Sequence, residues 1–341
     1  MTPRFRIVIC VVSALSILAA EMANAETIED VVRSLSVRSQ SLTTLQVQWQ
    51  GEGFWSKIDS IAHGEDRIFD SSGKVFFEST GRKRLELNQL QWSETDQAMY
   101  PTTLIIADDG SGEKTMFTRG PNGFPHLSEG ATRTQSRFRQ LRFVPMRLAF
   151  WPLDPDLGVC KADLADPRVE ETTLDGRRHL IARFGDKQIW VDPSRDLIPV
   201  RYYEYREADL KVSAEVEYQE VDGKWQPSAW KTTLHGGDIP RTVYTETVVS
   251  LTENQPIEDA VFTLEAPPNS WMTDYSKEGD YLVGSDGGKR LIKPGEYNGT
   301  NFQEMLDHHN QRWARFAGVV IVLLLAIGGT IAYLRLELKR P

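Results

Sequence analysis

The 341-residue chain is predicted to be mainly β, with antiparallel strands, a few helices and a C-terminal transmembrane helix. Three observations predict this. From Leu45 onward, apolar and polar residues alternate in short runs separated by Asp-Gly, Asp-Pro and Gly-rich turns, the pattern of half-buried antiparallel strands. Phe316 to Leu334, FAGVVIVLLLAIGGTIAYL, runs uncharged between Arg315 and Arg335. At about 1.5 Å per residue it spans roughly 28 Å, close to the ~30 Å hydrocarbon core of a bilayer. The N-terminus joins basic Arg4 and Arg6 to an apolar stretch, Ile7 to Ala20, and to Ala23-Asn24-Ala25, the layout of a cleavable secretory signal peptide.

The two apolar ends set the expected topology. Cleavage after Ala25 leaves the folded domain outside the cytoplasm; an uncleaved N-terminal anchor is the alternative, with a shorter apolar run than the C-terminal one. The C-terminal helix then stops transfer and leaves Arg335, Lys339 and Arg340 inside, although Arg312 and Arg315 place positive charge on the outer flank too. Trp313 and Tyr333 stand at the two ends, where amphipathic rings favour the headgroup level. The expected organisation is therefore a signal peptide over 1–25, an extracytoplasmic domain over 26–283, a linker over 284–299, a membrane-proximal helix over 300–315, a transmembrane helix over 316–334 and a cytoplasmic tail over 335–341. That describes a single-pass inner-membrane protein with a periplasmic N-terminal domain.

Composition narrows the function classes. The net charge is −9, one more negative once Arg4, Arg6 and Glu21 leave with the signal, which disfavours a nucleic-acid partner. Cys10 also leaves with the signal and is preceded by Ile7-Val8-Ile9, not by the small residues of a lipid-attachment site. Cys160 is then the sole mature cysteine, so no internal disulfide forms, and a buried, inert thiol is its expected role.

The elements follow in order. Thr27 and Asp30 form a helix start, and Ile28, Val31, Val32, Leu35 and Leu42 recur at helical spacing. From Leu45 the period changes: Leu45, Val47 and Trp49 point one way and Gln46, Gln48 and Gln50 the other. Strands are predicted over 74–80, 82–90, 102–107 and 114–118, the last pair turned by Asp108-Asp109-Gly110-Ser111-Gly112, a hairpin turn without the spacing of a calcium loop. A Gly/Pro loop over 120–130 precedes a short helix over 133–143, with Pro145 close behind. Residues 149–167, rich in proline and aspartate, read as an irregular connection or lid. Strands follow over 168–174, 178–184, 187–191, 198–206, 210–220, 224–235 and 241–251, joined by Asp175-Gly176, Asp192-Pro193-Ser194 and Asp222-Gly223. Phe262-Thr263-Leu264 reads as the last strand. After the Gly- and Lys-rich segment 284–299, Thr300 and Gln303 cap a helix whose stripe, Phe302, Met305, Leu306, His309, Trp313 and Phe316, leads without a break into the membrane run.

No residue pattern assigns chemistry. His63, His126, His179, His235, His308 and His309 are scattered apart from the last pair, and Glu304 with His308 at helical spacing is explained by a polar helix face. H-E-x-x-H, G-x-S-x-G, Walker A and dinucleotide motifs are missing. Cys160 and His179 show no third residue to orient a thiol dyad. The expectation is a non-enzyme with no catalytic, cofactor-binding or metal-binding residues.

Three stretches nevertheless carry a family resemblance: Ile189-Trp190-Val191-Asp192-Pro193 running to Ile198-Pro199-Val200-Arg201, then Asp222-Gly223-Lys224-Trp225-Gln226-Pro227, then Phe262-Thr263-Leu264-Glu265-Ala266-Pro267. With the opening helix and Leu42-Thr43-Thr44-Leu45-Gln46-Val47-Gln48-Trp49, their order resembles the LolA/RseB-like (outer-membrane lipoprotein-sorting protein-like) superfamily over about Thr27 to Tyr275. The chain looks like a diverged, membrane-anchored member. The resemblance implies an incomplete antiparallel β-barrel, a LolA-like half-barrel, with short helices over its open side and an apolar cavity for acyl chains. Strand alternation offers Val47, Trp49, Leu85, Leu87, Val216 and Tyr218 as candidate lining; ordinary core packing is the alternative for each. The implied partner is a lipid or a lipoprotein acyl chain. The membrane run departs from the soluble carriers of the family and turns the expectation from carriage towards holding or envelope sensing. A ligand-free interaction module acting through a membrane-protein partner is the alternative, for which Gly328 and Ala332 provide small-residue spacing. An envelope hydrolase is a third reading, without its usual motifs.

Overall fold

The computed structural model describes residues 27–57, 65–93, 98–119, 123–130, 141–152, 168–237, 239–298 and 301–337, with side chains at 91–93, 98–99, 119, 141, 312–318 and 331–337 outside the description. The signal peptide, Cys160 and residues 338–341 therefore lie outside the described residues. The chain divides into two compact units, Met1–Ser72 with Arg137–Gln255, and Gly73–Ser136 with Pro256–Pro341. One boundary, between Ser72 and Gly73, falls inside a strand.

In the first unit, α1 (Ile28–Gln40) starts at a capping box: Asp30 N donates to Thr27 Oγ1 at 3.3 Å and Thr27 N to Asp30 Oδ2 at 3.1 Å. Its apolar stripe buries Val31 and Leu35. The strands are β1 (Thr44–Trp55), the start of β2 (Arg67–Glu78), β7 (Arg168–Leu174), β8 (Arg177–Phe184), β9 (Lys187–Asp192), β10 (Ile198–Arg206), β11 (Asp209–Val221), β12 (Lys224–Gly236) and β13 (Ile239–Glu253). Their order is β2-β1-β13-β12-β11-β10-β9-β8-β7. The hairpins follow from turn chemistry. Asp175 and Gly176 have φ of 52° and 76°, and Asp222 and Gly223 of 52° and 73°, so both loops take the twist that two-residue hairpins favour. A 3-10 turn, Leu141–Phe143, leads into α2 (Val144–Phe150), all of whose residues are buried and which contacts β10, β11 and β12.

Of the helix expected over 133–143, residues 133–140 lie outside the described residues; Leu141–Phe143 form the 3-10 turn, and Pro145 sits in the first turn of α2. A proline there gives up no hydrogen bond, because the first N–H groups of a helix have no partner within it.

The second unit holds the end of β2, then β3 (Lys83–Ser93), β4 (Ala98–Asp108), β5 (Glu113–Arg119), β6 (His126–Glu129), α3 (Asp259–Phe262), β14 (Ser270–Asp274), β15 (Gly279–Val283), β16 (Lys289–Leu291) and α4 (Phe302–Glu337). The order is β2-β3-β4-β5-β6-β14-β15-β16, with β14 parallel to β6. Three local elements differ from the sequence pattern. Asp259–Phe262 form one helical turn and Thr263-Leu264 are not in a strand: Phe262 is buried under the Arg82 guanidinium at 4.8 Å, and Arg84 Nη1 donates to Val261 O at 2.9 Å. His126–Glu129, read as loop, is β6. The segment 284–299, read as a linker, contains β16 and sends Ile292 and Tyr297 into a cluster with Trp271, Leu282, Phe302, Met305 and Leu306.

The strand order is linear, with β7 and β16 paired on one side only among the described residues, so the sheet is open. Helix α4 runs unbroken for 36 residues. Its first turns bury Phe302, Met305, Leu306 and His309, as the stripe predicts. Among the described residues, no helix is long and apolar enough to cross a membrane. The described side chains of the apolar run span 319–330, about 18 Å of helix and shorter than a full crossing.

Candidate functional site

The first unit presents one sheet face to α1 and α2, and the alternation of β10 to β13 builds that face. Val212, Ala214 and Val216 on β11, Trp230 and Thr232 on β12, and Thr242, Tyr244 and Glu246 on β13 are all buried. Glu246 is the anomaly. A carboxylate this deep needs compensation, since desolvation of an unpaired charge is costly. Arg142, also buried and next to α2, supplies it: Nη2 lies 2.5 Å and Nε 3.1 Å from Glu246 Oε1. Trp49 Nε1 donates to the same oxygen at 3.1 Å and Ser71 Oγ at 3.2 Å, while Trp230 Nε1 donates to Oε2 at 2.6 Å. Arg142 also donates to Ser71 Oγ, and its guanidinium lies 4.6 Å from the centroid of the Tyr244 ring. Thr232 Oγ1 donates to Arg142 O at 3.3 Å. The cluster fixes the approach to α2 against β12 and β13, and every charge in it has a partner.

A cavity of about 380 Å³ opens at the edge of the same unit. Its lining comes from the end of α1 (Arg38, Ser41, Leu42), the end of α2 (Phe150), the β9–β10 turn (Asp196, Ile198), the β11–β12 turn (Gly223, Lys224, Trp225) and the end of β13 (Glu253, Asn254). Leu42, Phe150 and Ile198 are buried and form an apolar floor. Arg38 is fixed by donating from Nε to Ala149 O at 2.5 Å and from Nη2 to Trp225 O at 3.4 Å. Trp225 lies under the Arg195 guanidinium at 5.3 Å; Arg195 is paired with Asp192 at 2.6 Å. Burial works to raise the Asp192 carboxyl, but hydrogen bonds from Ser194 and Arg195 outweigh it and hold the group below its usual range.

The six residues suggested by alternation fall in both units. Val47, Trp49, Val216 and Tyr218 belong to the first, Leu85 and Leu87 to the second. Val47, Trp49, Leu85, Leu87 and Val216 are buried. Trp49 packs against Phe143 and Trp230, with ring centroids 6.3 and 5.9 Å apart. Tyr218, half-buried after a bulge between Glu217 and Tyr218, donates to Pro199 O at 2.7 Å. Burial pushes its phenol above the usual range, with Arg38 and Arg195 pulling the other way. None of the six lines the cavity. The cavity residues come mainly from turns and element ends, which have little periodicity to reveal them, although Leu42, Ile198 and Gly223-Lys224-Trp225 stand in the stretches that carry the family resemblance. Among the described residues no group of three His, Cys, Asp or Glu is placed to hold a metal ion. The interface pair Trp313 and Tyr333 falls outside the described side chains.

No family model matches this chain, and no curated protein does. Solved structures do. A DUF1329 family protein from Desulfovibrio piger is similar at 12% identity and a TM-score of 0.40, over 69% of this chain and 95% of its own. A LolA superfamily protein from Nitrosomonas europaea is similar at 9% identity and a TM-score of 0.37, over 70% and 99%. A domain from Vibrio parahaemolyticus, described as that of an outer membrane lipoprotein-sorting protein, is similar at 12% identity and a TM-score of 0.37, over 69% and 95%.

Proposed function

We propose that the protein is a membrane-anchored, periplasmic lipid- or lipoprotein-binding protein, working as a tethered holder or envelope sensor and not as an enzyme. The observation that carries this reading is α4. Val319, Val320, Ile321, Val322, Leu323, Leu324, Leu325 and Ile327 are all exposed, from 37% at Val320 to 70% at Leu325, over consecutive turns and hence on every side of the helix. Water does not tolerate such a surface, whereas lipid does. In this reading 316–334 spans the bilayer and 335–341 is cytoplasmic. The signal peptide and the incomplete-barrel curvature belong to the same proposal.

The open sheet with one face under two helices, and the apolar-floored cavity beside it, support binding of an acyl chain or its headgroup. The docking of the α4 base onto the second unit favours holding or signalling over shuttling, because a domain fixed to its own anchor does not travel. The ligand-free module acting through a membrane partner draws on the same docking. Alkaline extraction of expressing membranes, followed by protease treatment of spheroplasts, tests the anchor. The protein stays in the membrane pellet and is degraded from outside; release by alkali contradicts the reading.

A further inference from the structure

We infer that the first unit's cavity receives a zwitterionic headgroup: an anion and an ammonium a few bonds apart on one amphiphile. This rests on the reading of the protein as lipid-binding and adds the headgroup class. Four charged side chains line the cavity, Arg38 and Lys224 on one hand, Asp196 and Glu253 on the other. None of the four forms an ion pair with a described residue, although ion pairs are frequent elsewhere in the unit. Arg38 is the most constrained, because two main-chain carbonyls and the Tyr218 ring, 5.7 Å away, hold its guanidinium without neutralising it. Asp196 is held in the left-handed region at φ 54°, and its carbonyl accepts from Ser34 Oγ of α1 at 3.0 Å, which ties the turn to the helix that carries Arg38.

The signs decide the ligand class. A plain anion would gain Arg38 and Lys224 but meet two carboxylates, and a plain cation would meet the reverse. A ligand carrying both charges satisfies both pairs and meets neither repulsion. The floor of Leu42, Phe150 and Ile198, with Trp225 beside it, takes the apolar part. A volume of about 380 Å³ suits a headgroup with the first carbons of its chains. The same charge pattern occurs in a free zwitterion without chains, so the test separates the two.

The full chain in maltoside detergent is titrated with dihexanoyl phosphatidylethanolamine, dihexanoyl phosphatidylglycerol and free phosphoethanolamine, each followed by the indole ¹H–¹⁵N resonance of Trp225. Phosphatidylethanolamine is expected to shift that resonance saturably and to bind most tightly. The exposed-site variants Lys224→Gln and Asp196→Asn are each expected to weaken it about fivefold, with phosphatidylglycerol gaining in Asp196→Asn. Equal binding of both lipids, unchanged by either variant, overturns the headgroup assignment and leaves acyl binding standing. Free phosphoethanolamine binding as tightly as the lipid overturns the assignment to an amphiphile. Binding of neither lipid, here or elsewhere on the protein, overturns this inference and the lipid-binding reading together.

Discussion

At the scale of single residues, Glu246 shows how much one buried carboxylate can organise. Its two oxygens accept from Arg142, Ser71, Trp49 and Trp230, residues far apart in sequence. Glu246→Ala removes the acceptor from two indoles and leaves a buried guanidinium unpaired, so a loss of about 3–5 kcal/mol is expected in denaturant unfolding. Arg142→Met combined with Glu246→Leu is expected to cost less than the sum of the single changes, because the unpaired charge disappears with its partner. A second residue-scale expectation concerns the β10–β11 turn. Glu207 and Ala208 occupy the left-handed region at φ 52° and 71°, where side chains other than Asn, Asp and Gly are strained. Replacing Glu207-Ala208 by Asn-Gly should raise stability by about 1 kcal/mol, seen as a higher unfolding midpoint with unchanged slope.

At the scale of elements, the base of α4 is the junction that, in the proposed reading, couples the anchor to the second unit. His309 is buried with neither ring nitrogen hydrogen-bonded to a described residue, and a Cβ on Gly284 would lie 2.8 Å from its ring. Neighbouring Asn310 accepts from Ser285 N at 2.9 Å and donates to Asn269 Oδ1 at 3.2 Å. His309→Leu should therefore leave the docking intact or strengthen it, since an unsatisfied buried polar group costs about 1–3 kcal/mol. Gly284→Val should loosen it and open 284–299 to limited proteolysis. The β14–β15 turn adds a pH dependence. Asp274 accepts from Lys277 Nζ at 2.8 Å and from Ser276 Oγ at 2.5 Å, and these bonds, the Lys277 one foremost, hold its carboxyl at about 2 against an ordinary 3.8. A lowered folded-state value stabilises above the unfolded one. The contribution is thus complete above about pH 4 and is lost as pH falls towards 2. Acid unfolding followed by circular dichroism should lose that component in Asp274→Asn.

The same elements show what the sequence makes legible. β7 and β10 match the strands read from alternation residue for residue, because Asp175-Gly176 marks the end of β7 and Asp192-Pro193-Ser194 precedes the β-branched start of β10. β14 is not legible in this way: it pairs in parallel with β6, more than a hundred residues earlier, and its turn is held by the side chains of Asp274, Ser276 and Lys277 with no Asp-Gly signature. The composition of 284–299 reads as a linker because its apolar residues, Leu291, Ile292 and Tyr297, are few, and Ile292 and Tyr297 meet the helix only in three dimensions. Alternation placed Val47, Trp49, Leu85, Leu87 and Val216 on buried faces. It does not distinguish core from cavity wall, and the cavity is built from turns.

At the scale of the whole molecule, two features define the account: a β-rich fold with an open sheet, and a long helix that leaves the second unit with an apolar surface exposed on all sides. Deleting residues 316–341 should release the protein from the membrane pellet, whereas replacing 316–334 by an unrelated apolar sequence should keep it there; fractionation reads both. A protein that is held by its own anchor and binds lipid should carry that lipid when it is extracted gently. Native mass spectrometry of the full chain, taken from expressing membranes in maltoside and stripped of detergent in the gas phase, reads this directly. The account predicts discrete adducts with the masses of acyl-bearing lipids or lipoprotein, retained at collision energies that remove detergent. A spectrum of the bare chain alone, unchanged after incubation with excess phospholipid, would contradict it.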